Sequence, residues 1–109
     1  AHITGSGFLN VPRMSNQVSY EITLPSLKSR PRVFQWLHQT TQIPFQELAQ
    51  TFNMGVGMVI AVSPSDLKSV LFSLKKSGEK PHLLGHVTRK RGSCQVIVHD
   101  QSGRAELTY

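Results

Sequence analysis

The sequence of 109 residues has a single cysteine, few acidic residues and no long apolar run. Cys94 excludes an internal disulfide, and its position before Val96 and Val98 predicts a small buried thiol in a strand. No apolar run reaches the roughly 18 residues of a membrane span, and the first residues do not show the basic segment followed by an apolar stretch that is typical of a signal peptide. We therefore expect a cytoplasmic protein with no membrane contact, and its length predicts a single domain over residues 1–109.

Acidic side chains number six against twelve basic ones, which gives a formal net charge of +6. The acidic residues are scattered, so none forms a carboxylate pair suited to acid/base catalysis or to a divalent metal, and we expect no metal site. The one dense basic run is Arg89-Lys90-Arg91. Nucleic-acid binding also needs aromatic side chains among the basic ones, and the aromatic residues here fall at predicted core positions. We interpret the run as a solvated turn and expect no nucleic-acid partner.

A glycine-containing turn, residues 4–7, follows a short apolar segment and precedes a short predicted helix. Gly5 and Gly7 can adopt positive φ, so that successive N–H groups point into one concavity, an arrangement that suits phosphate. Thr4 and Ser6 could add hydroxyl donors, and Arg13 a guanidinium if the helix folds back over the turn. The alternative is a flexible turn without a ligand.

A second glycine-containing turn, residues 53–57, lies between a predicted helix and a predicted buried strand over residues 58–62. Asn53 suits a helix C-terminus, where it would cap the chain, and the alternative is that Asn53 and the Gly55 backbone face the cavity of the first turn. A basic connector upstream contains Lys28, Arg30 and Arg32. It is either a solvated loop or a cationic lining of the same cavity.

Hydrophobic periodicity predicts the remaining elements. A strand over residues 18–24 should pair with the segment that enters the first turn, and helices over residues 32–40 and 44–51 should form a hairpin with Trp36 in the core. A helix over residues 63–77 should bury Phe72. Strands over residues 82–87 and 94–99 should form a second hairpin, with the basic run at its tip. The tail is a polar segment or an edge strand. This order predicts an α+β domain with helices packed on a mixed β-sheet.

Two motifs then carry a family resemblance. His2-Ile3-Thr4-Gly5-Ser6-Gly7 with Asn10-Val11-Pro12-Arg13, and Phe52-Asn53-Met54-Gly55-Val56-Gly57-Met58 after a Trp-Leu helix, occur in this order. The chain resembles the C-terminal domain of aminoimidazole ribonucleotide (AIR) synthetase, phosphoribosylformylglycinamidine cyclo-ligase, from Ala1 to about Val87. The resemblance implies the α+β fold of that domain.

The resemblance also implies an activity, a ligase reaction of de novo purine biosynthesis. Formylglycinamidine ribonucleotide and ATP, with Mg²⁺, would give aminoimidazole ribonucleotide, ADP and phosphate. The family's ATP-binding domain lies N-terminal to this region and mediates homodimerisation. ATP and Mg²⁺ are bound mainly by that domain. We expect this chain to be a partial C-terminal domain, inactive alone. The alternative is a non-catalytic module that keeps the fold and binds a phosphorylated ligand or another protein.

The resemblance implies site residues as well. His2 is the candidate catalytic group, and the substrate and phosphate would be bound by Thr4, Gly5, Ser6, Gly7, Asn10, Arg13, Asn53 and Gly55. Ser6 departs from the family, which has a third glycine there. A positive φ at Ser6 would strain the loop by roughly 1 to 2 kcal/mol.

Overall fold

The computed structural model describes residues 1–109, which form four strands, three α-helices and two 3₁₀ helices. The 3₁₀ helices are η1 (Gly7–Arg13) and η2 (Leu27–Ser29). The α-helices are α1 (Arg32–Thr40), α2 (Phe45–Thr51) and α3 (Leu67–Lys76). The strands are β1 (Val18–Thr23), β2 (Gly85–Arg89), β3 (Gln95–Asp100) and β4 (Gly103–Thr108).

The four strands form one mixed sheet in the order β2-β1-β3-β4. Strand β1 is antiparallel to β2, with Tyr20 opposite Val87, and parallel to β3, with Tyr20 opposite Val96. Strand β4 is antiparallel to β3, with Val98 opposite Ala105. The predicted α+β domain with a mixed sheet is confirmed.

One face of the sheet forms the core, as the alternation of apolar and polar residues predicts. The side chains that point to it are Tyr20, Ile22, Val96, Val98, Ala105 and Leu107, all buried. The other face is polar, and there Glu21 pairs with His99 at 3.0 Å. Since adjacent residues in a strand point to opposite faces, β1, β3 and β4 contribute to the core with alternate residues, whereas no residue of β2 is buried.

Helices η1 and α2 cover the core face. Helix α2 packs against η1 and β4, and η1 packs against β1, β3 and β4. Gln46 of α2 also binds the edge strand: its Nε2 donates to the Glu106 carbonyl at 2.7 Å, and its Oε1 accepts from the Glu106 N–H at 2.8 Å. The side-chain amide thus bonds to β4 as a neighbouring strand would, and it occupies one part of the exposed edge.

The opening segment differs from its prediction. Residues 1–3 do not pair with β1; they pair with residues 57–59 through one antiparallel bridge between His2 and Met58. The predicted buried strand over residues 58–62 is wrong, because only Met58 makes a bridge and Met58 and Ile60 are more than half exposed. Residues 58–62 contact residues 1–3 on one side only, and no strand lies on the other side to form a second ladder.

The predicted hairpin of β2 and β3 is also wrong, because β1 lies between these strands. Their connection passes the start of β1, where Lys90 Nζ donates to the Asn16 carbonyl at 3.1 Å. Arg91 in this connection is exposed, as a solvated turn requires, whereas Arg89, also exposed, is the last residue of β2. Of the two interpretations of the tail, the edge strand is correct.

The helices agree with the predicted positions but not with the predicted packing. Helix α1 packs against η2 rather than against α2, and Trp36 is 57% exposed. Helix α3 begins at Leu67 rather than after Ser63, its apolar stripe is only half-buried, and Phe72 is 68% exposed. None of the helices has the length and apolar character that a bilayer crossing requires.

The bonds between α2 and β4 lead to a prediction about stability. Gln46→Ala removes two hydrogen bonds and should lower the free energy of unfolding by about 1 to 2 kcal/mol. Gln50→Ala, at an exposed position of α2 whose side chain makes no hydrogen bond, is the matched control and should change it by less than about 0.5 kcal/mol. Urea denaturation of the three proteins measures the difference, and equal losses would contradict this role of Gln46.

Candidate functional site

The two glycine-containing turns are neighbours in space. The Ile3 N–H donates to the Gly57 carbonyl at 2.9 Å, and the Val59 N–H donates to the Ala1 carbonyl at 2.8 Å. Gly7 lies against the end of α2, where an added Cβ would be 2.9 Å from the Phe52 carbonyl oxygen. Residues 4–7, the first turn, and residues 53–57, the second turn, therefore form one side of the molecule.

The side chain of Asn10 determines how the first turn is oriented. Asn10 is completely buried, and its Nδ2 donates to the carbonyls of Gly5 at 2.8 Å and Gly7 at 2.7 Å. The carbonyl of Thr4 lies 3.5 Å from the same nitrogen and also accepts from the Gly7 N–H. Three carbonyls of the turn thus point towards the protein interior.

Inward carbonyls direct the following amides outward, because the C=O and N–H of a trans peptide point in opposite directions. The Thr4 carbonyl belongs to the peptide that carries the Gly5 N–H, and the Gly5 carbonyl to the one that carries the Ser6 N–H. Neither N–H has an acceptor within the protein. Thr4 and Ser6, which carry hydroxyl groups, are exposed residues as well. The turn therefore presents donors, which is what an anionic group needs.

The second turn is held by its own hydrogen bonds. Asn53 Oδ1 accepts from the Gly55 N–H at 2.9 Å, and the Asn53 carbonyl accepts from the Val56 N–H at 2.8 Å. Met54 and Gly55 have φ of 50° and 89°, and the Met54 side chain is buried. Asn53 thus uses its oxygen to stabilise the turn, and its Nδ2 remains free to donate. It does not cap α2 as one interpretation predicted, because the C-cap of that helix is Phe52.

Two of the predicted binding residues lie elsewhere. Asn10 does not face solvent, so it supports the first turn from beneath and cannot contact a ligand in this structure. Arg13 is at the far end of η1, about 12 Å along a 3₁₀ helix from Gly7, because the helix does not fold back over the turn. A 3₁₀ helix of seven residues also adds little dipole, so the donors are the amides and hydroxyls of the turn itself.

The other predicted residues lie at the two turns. His2 and Thr4 are exposed while Ile3 between them is buried, so both polar side chains are on the outer side of this segment. Gly5 and Ser6 are exposed at the tip of the first turn, and Gly7 is buried at its base.

Sequence reasoning missed the position of Arg30. Both interpretations of the basic connector placed this residue near solvent or in the cavity lining, yet its side chain is 1% exposed and pairs with Asp100. A signal was present, because Leu27 and Pro31 bracket the connector with apolar residues. The partner, however, is 70 residues away in the chain and follows no local pattern.

The structure does not favour a nucleophilic cysteine or a metal site. Burial raises the pKa of the Cys94 thiol, and the positive charge of Lys90 opposes this shift only partly. A raised pKa keeps the thiol protonated at neutral pH and therefore unreactive. No three His, Cys, Asp or Glu side chains are grouped so that they could hold a metal ion. The site is suited to binding negative charge.

The packing of the first turn predicts that alanine substitution lowers stability much more at Gly7 than at Gly5. Gly7→Ala would place Cβ against the Ala49, Gln50 and Phe52 backbone at a φ of 51°, and should destabilise the fold by about 3 kcal/mol. Gly5→Ala meets no atom within 4 Å and should change stability by at most about 1 kcal/mol. Thermal and urea unfolding measure both variants; a tolerated Gly7→Ala would contradict the close packing of this turn on α2.

Ser6 has a φ of 73°, so the strain that a side chain brings to this position is present. Ser6→Gly should relieve roughly 1 to 2 kcal/mol of strain and lose roughly half of it to the entropy of the unfolded chain. We expect a net stabilisation of up to about 1 kcal/mol. Ser73→Gly in α3 is the control and should destabilise by about 0.5 to 1 kcal/mol. Chemical denaturation in which Ser6→Gly is the less stable variant would contradict the strain argument.

Comparison with known proteins relates the chain to one family of enzymes. A family profile described as AIR synthase related protein, C-terminal domain, matches residues 1–97. A curated protein of Bacillus mycoides (strain KBAB4), named phosphoribosylformylglycinamidine cyclo-ligase, is 39% identical over 94 residues. This match covers 84% of the chain and 27% of the relative, so the chain spans about a quarter of that protein's length.

Proposed function

The chain belongs to the family described as AIR synthase related protein, C-terminal domain, and we propose that it forms the phosphate-binding side of a phosphoribosylformylglycinamidine cyclo-ligase. The whole enzyme would convert formylglycinamidine ribonucleotide and ATP to aminoimidazole ribonucleotide, ADP and phosphate. ATP would activate the formyl oxygen, and a nitrogen of the substrate would then close the imidazole ring.

The observation that carries this proposal is the donor surface of the first turn. The Gly5 and Ser6 N–H groups have no acceptor in the protein, and the hydroxyls of Thr4 and Ser6 lie beside them. Such groups stabilise negative charge on a phosphoryl oxygen without moving protons. In the proposed complex they bind the phosphate of the substrate, and Asn53 Nδ2 binds it from the second turn. The predicted contact from the Gly55 backbone is not part of this complex, because the Gly55 N–H already donates to Asn53 Oδ1.

His2 is the proposed proton acceptor during ring closure. Its side chain is exposed on the same side of the chain as Thr4, which places a titratable imidazole next to the phosphate-binding turn. Ring closure converts an N–H nitrogen into a ring nitrogen, so a base within reach of that nitrogen lowers the barrier.

ATP and Mg²⁺ are assigned to the remainder of the enzyme. Mg²⁺ prefers carboxylate and phosphate oxygens, and residues 1–13 and 53–57 contain no carboxylate. The relative is almost four times longer than the segment it shares with this chain, which leaves room for an N-terminal ATP-binding domain.

Exposed apolar side chains support the proposed partners. The large hydrophobic residues that solvent reaches include Val33 and Trp36 of α1, Phe72 of α3, and Met58, Ile60 and Leu83. Extensive exposed apolar surface usually marks an interaction site. We propose that the N-terminal domain of the same enzyme covers part of this surface, in a cytoplasmic homodimer that binds neither membrane nor nucleic acid.

Calorimetry on the chain with ribose 5-phosphate tests the binding role. The wild-type protein should bind, and Gly55→Val should weaken binding at least tenfold, because its side chain at a φ of 89° would meet Pro31 and Arg30 within 3.2 Å and distort the second turn. Gly57→Ala is the matched control, since no atom lies within 4 Å of its added Cβ, and it should bind as the wild type does. If titration of the wild-type protein with ribose 5-phosphate produced no heat, the binding role would be wrong.

Turnover distinguishes the enzyme from the non-catalytic alternative. The full-length protein that contains this chain should form aminoimidazole ribonucleotide and ADP in equal amounts, and His2→Gln should reduce kcat more than it raises KM. The strained Ser6 favours the alternative, a module that binds phosphate without turnover. Ligand binding together with no ADP formation by the full-length protein would establish that alternative.

A further inference from the structure

A buried ion pair lies directly behind the second turn. Arg30 precedes α1, Asp100 ends β3, and Arg30 Nη2 is 2.8 Å from Asp100 Oδ1. The two side chains are only 1% and 3% exposed. Charges removed from water to this extent need fixed partners, so the position of the guanidinium is determined by the groups around it.

The carboxylate of Asp100 is itself held in place. Its Oδ1 also accepts from the Gln101 N–H at 2.7 Å, and its Oδ2 accepts from the Ser102 hydroxyl at 3.0 Å. These donors belong to the turn between β3 and β4, so the sheet fixes the carboxylate. The carboxylate in turn fixes the guanidinium of Arg30.

The other side of Arg30 touches the second turn. Its Nη1 donates to the Met54 carbonyl at 3.4 Å, and its side-chain stem packs below Gly55, where an added Cβ would be 3.1 Å from Arg30 Cγ. Met54 is a non-glycine residue with φ of 50°, a conformation that persists only when its surroundings hold it. The turn's own bonds, from Asn53, do not reach the Met54 carbonyl.

We propose that Arg30 is a positioning residue, which holds the second turn in its ligand-binding conformation by linking the Met54 carbonyl to Asp100. This role rests on the proposed function, because it assumes that the turn binds the phosphorylated ligand. Arg30 Nε is buried without a partner. The side chain therefore gives up one donor, while its two terminal nitrogens connect the turn to the sheet.

Three variants separate positioning from stability. Arg30→Met keeps the side-chain stem but leaves Asp100 buried without its counter-charge, so it should lower Tm clearly. In Arg30→Met/Asp100→Asn no charge is buried, and Tm should return close to the wild-type value. Both should bind ribose 5-phosphate about tenfold more weakly, a loss of about 1.4 kcal/mol. Arg32→Met, at a neighbouring exposed position, is the control and should change neither quantity.

NMR of the ligand-free proteins completes the test. The scalar coupling that reports φ of Met54 and the amide shift of Gly55 should change in both Arg30 variants and stay constant in Arg32→Met. Affinity that recovers together with Tm in the double variant, or unchanged Met54 and Gly55 signals in both Arg30 variants, would overturn the proposal. If these signals change but the wild-type protein does not bind ribose 5-phosphate, the link holds the turn and the proposed phosphate site is wrong.

Discussion

The candidate site depends on one buried side-chain amide. Asn10 Nδ2 binds the carbonyls of Gly5 and Gly7 and lies near that of Thr4, and peptide planarity converts these inward contacts into outward N–H groups. Asn10 Oδ1 is buried without a partner, which costs about 1 to 3 kcal/mol. A 180° flip of the side-chain amide would not satisfy Oδ1, because Oδ1 would then face the three carbonyl oxygens that Nδ2 faces now. The orientation of the side chain, and with it the donor surface, is therefore fixed.

The core transmits this constraint to the second turn. Gly7 at the base of the first turn packs on the end of α2, and α2 is bonded through Gln46 to the edge strand β4. Strand β3, next to β4, ends at Asp100, which pairs with Arg30 behind the second turn. Each turn is thus connected to the same sheet by side chains with fixed hydrogen bonds. Two loops held by a rigid scaffold can keep a binding geometry that neither would keep alone.

Hydrophobic periodicity in the sequence correctly predicted the elements whose burial is decided within a short segment. Alternation located β1 and β3, and helical spacing located α1 and α2, because burial on one face alone gives those periods. The same patterns failed where burial depends on distant partners. Met58 and Ile60 belong to an apolar run that reads as a strand but has no ladder on its outer side. The glycine pattern predicted the first turn, whereas the inward position of Asn10 and the pairing of Arg30 with Asp100 need three-dimensional contacts that no spacing reveals.

The charges around the site show how it would recognise phosphate. Arg13 lies at the far end of η1, and Asp100 neutralises Arg30, so neither contributes an uncompensated positive charge at the first turn. The donors that remain, the Gly5 and Ser6 N–H groups and the hydroxyls, are neutral. Neutral donors act over short distances and are screened little by salt, whereas free charges attract from about 10 Å. Phosphate recognition at this turn would therefore depend on the backbone geometry that Asn10 sets, more than on the net charge of +6 that the whole chain carries.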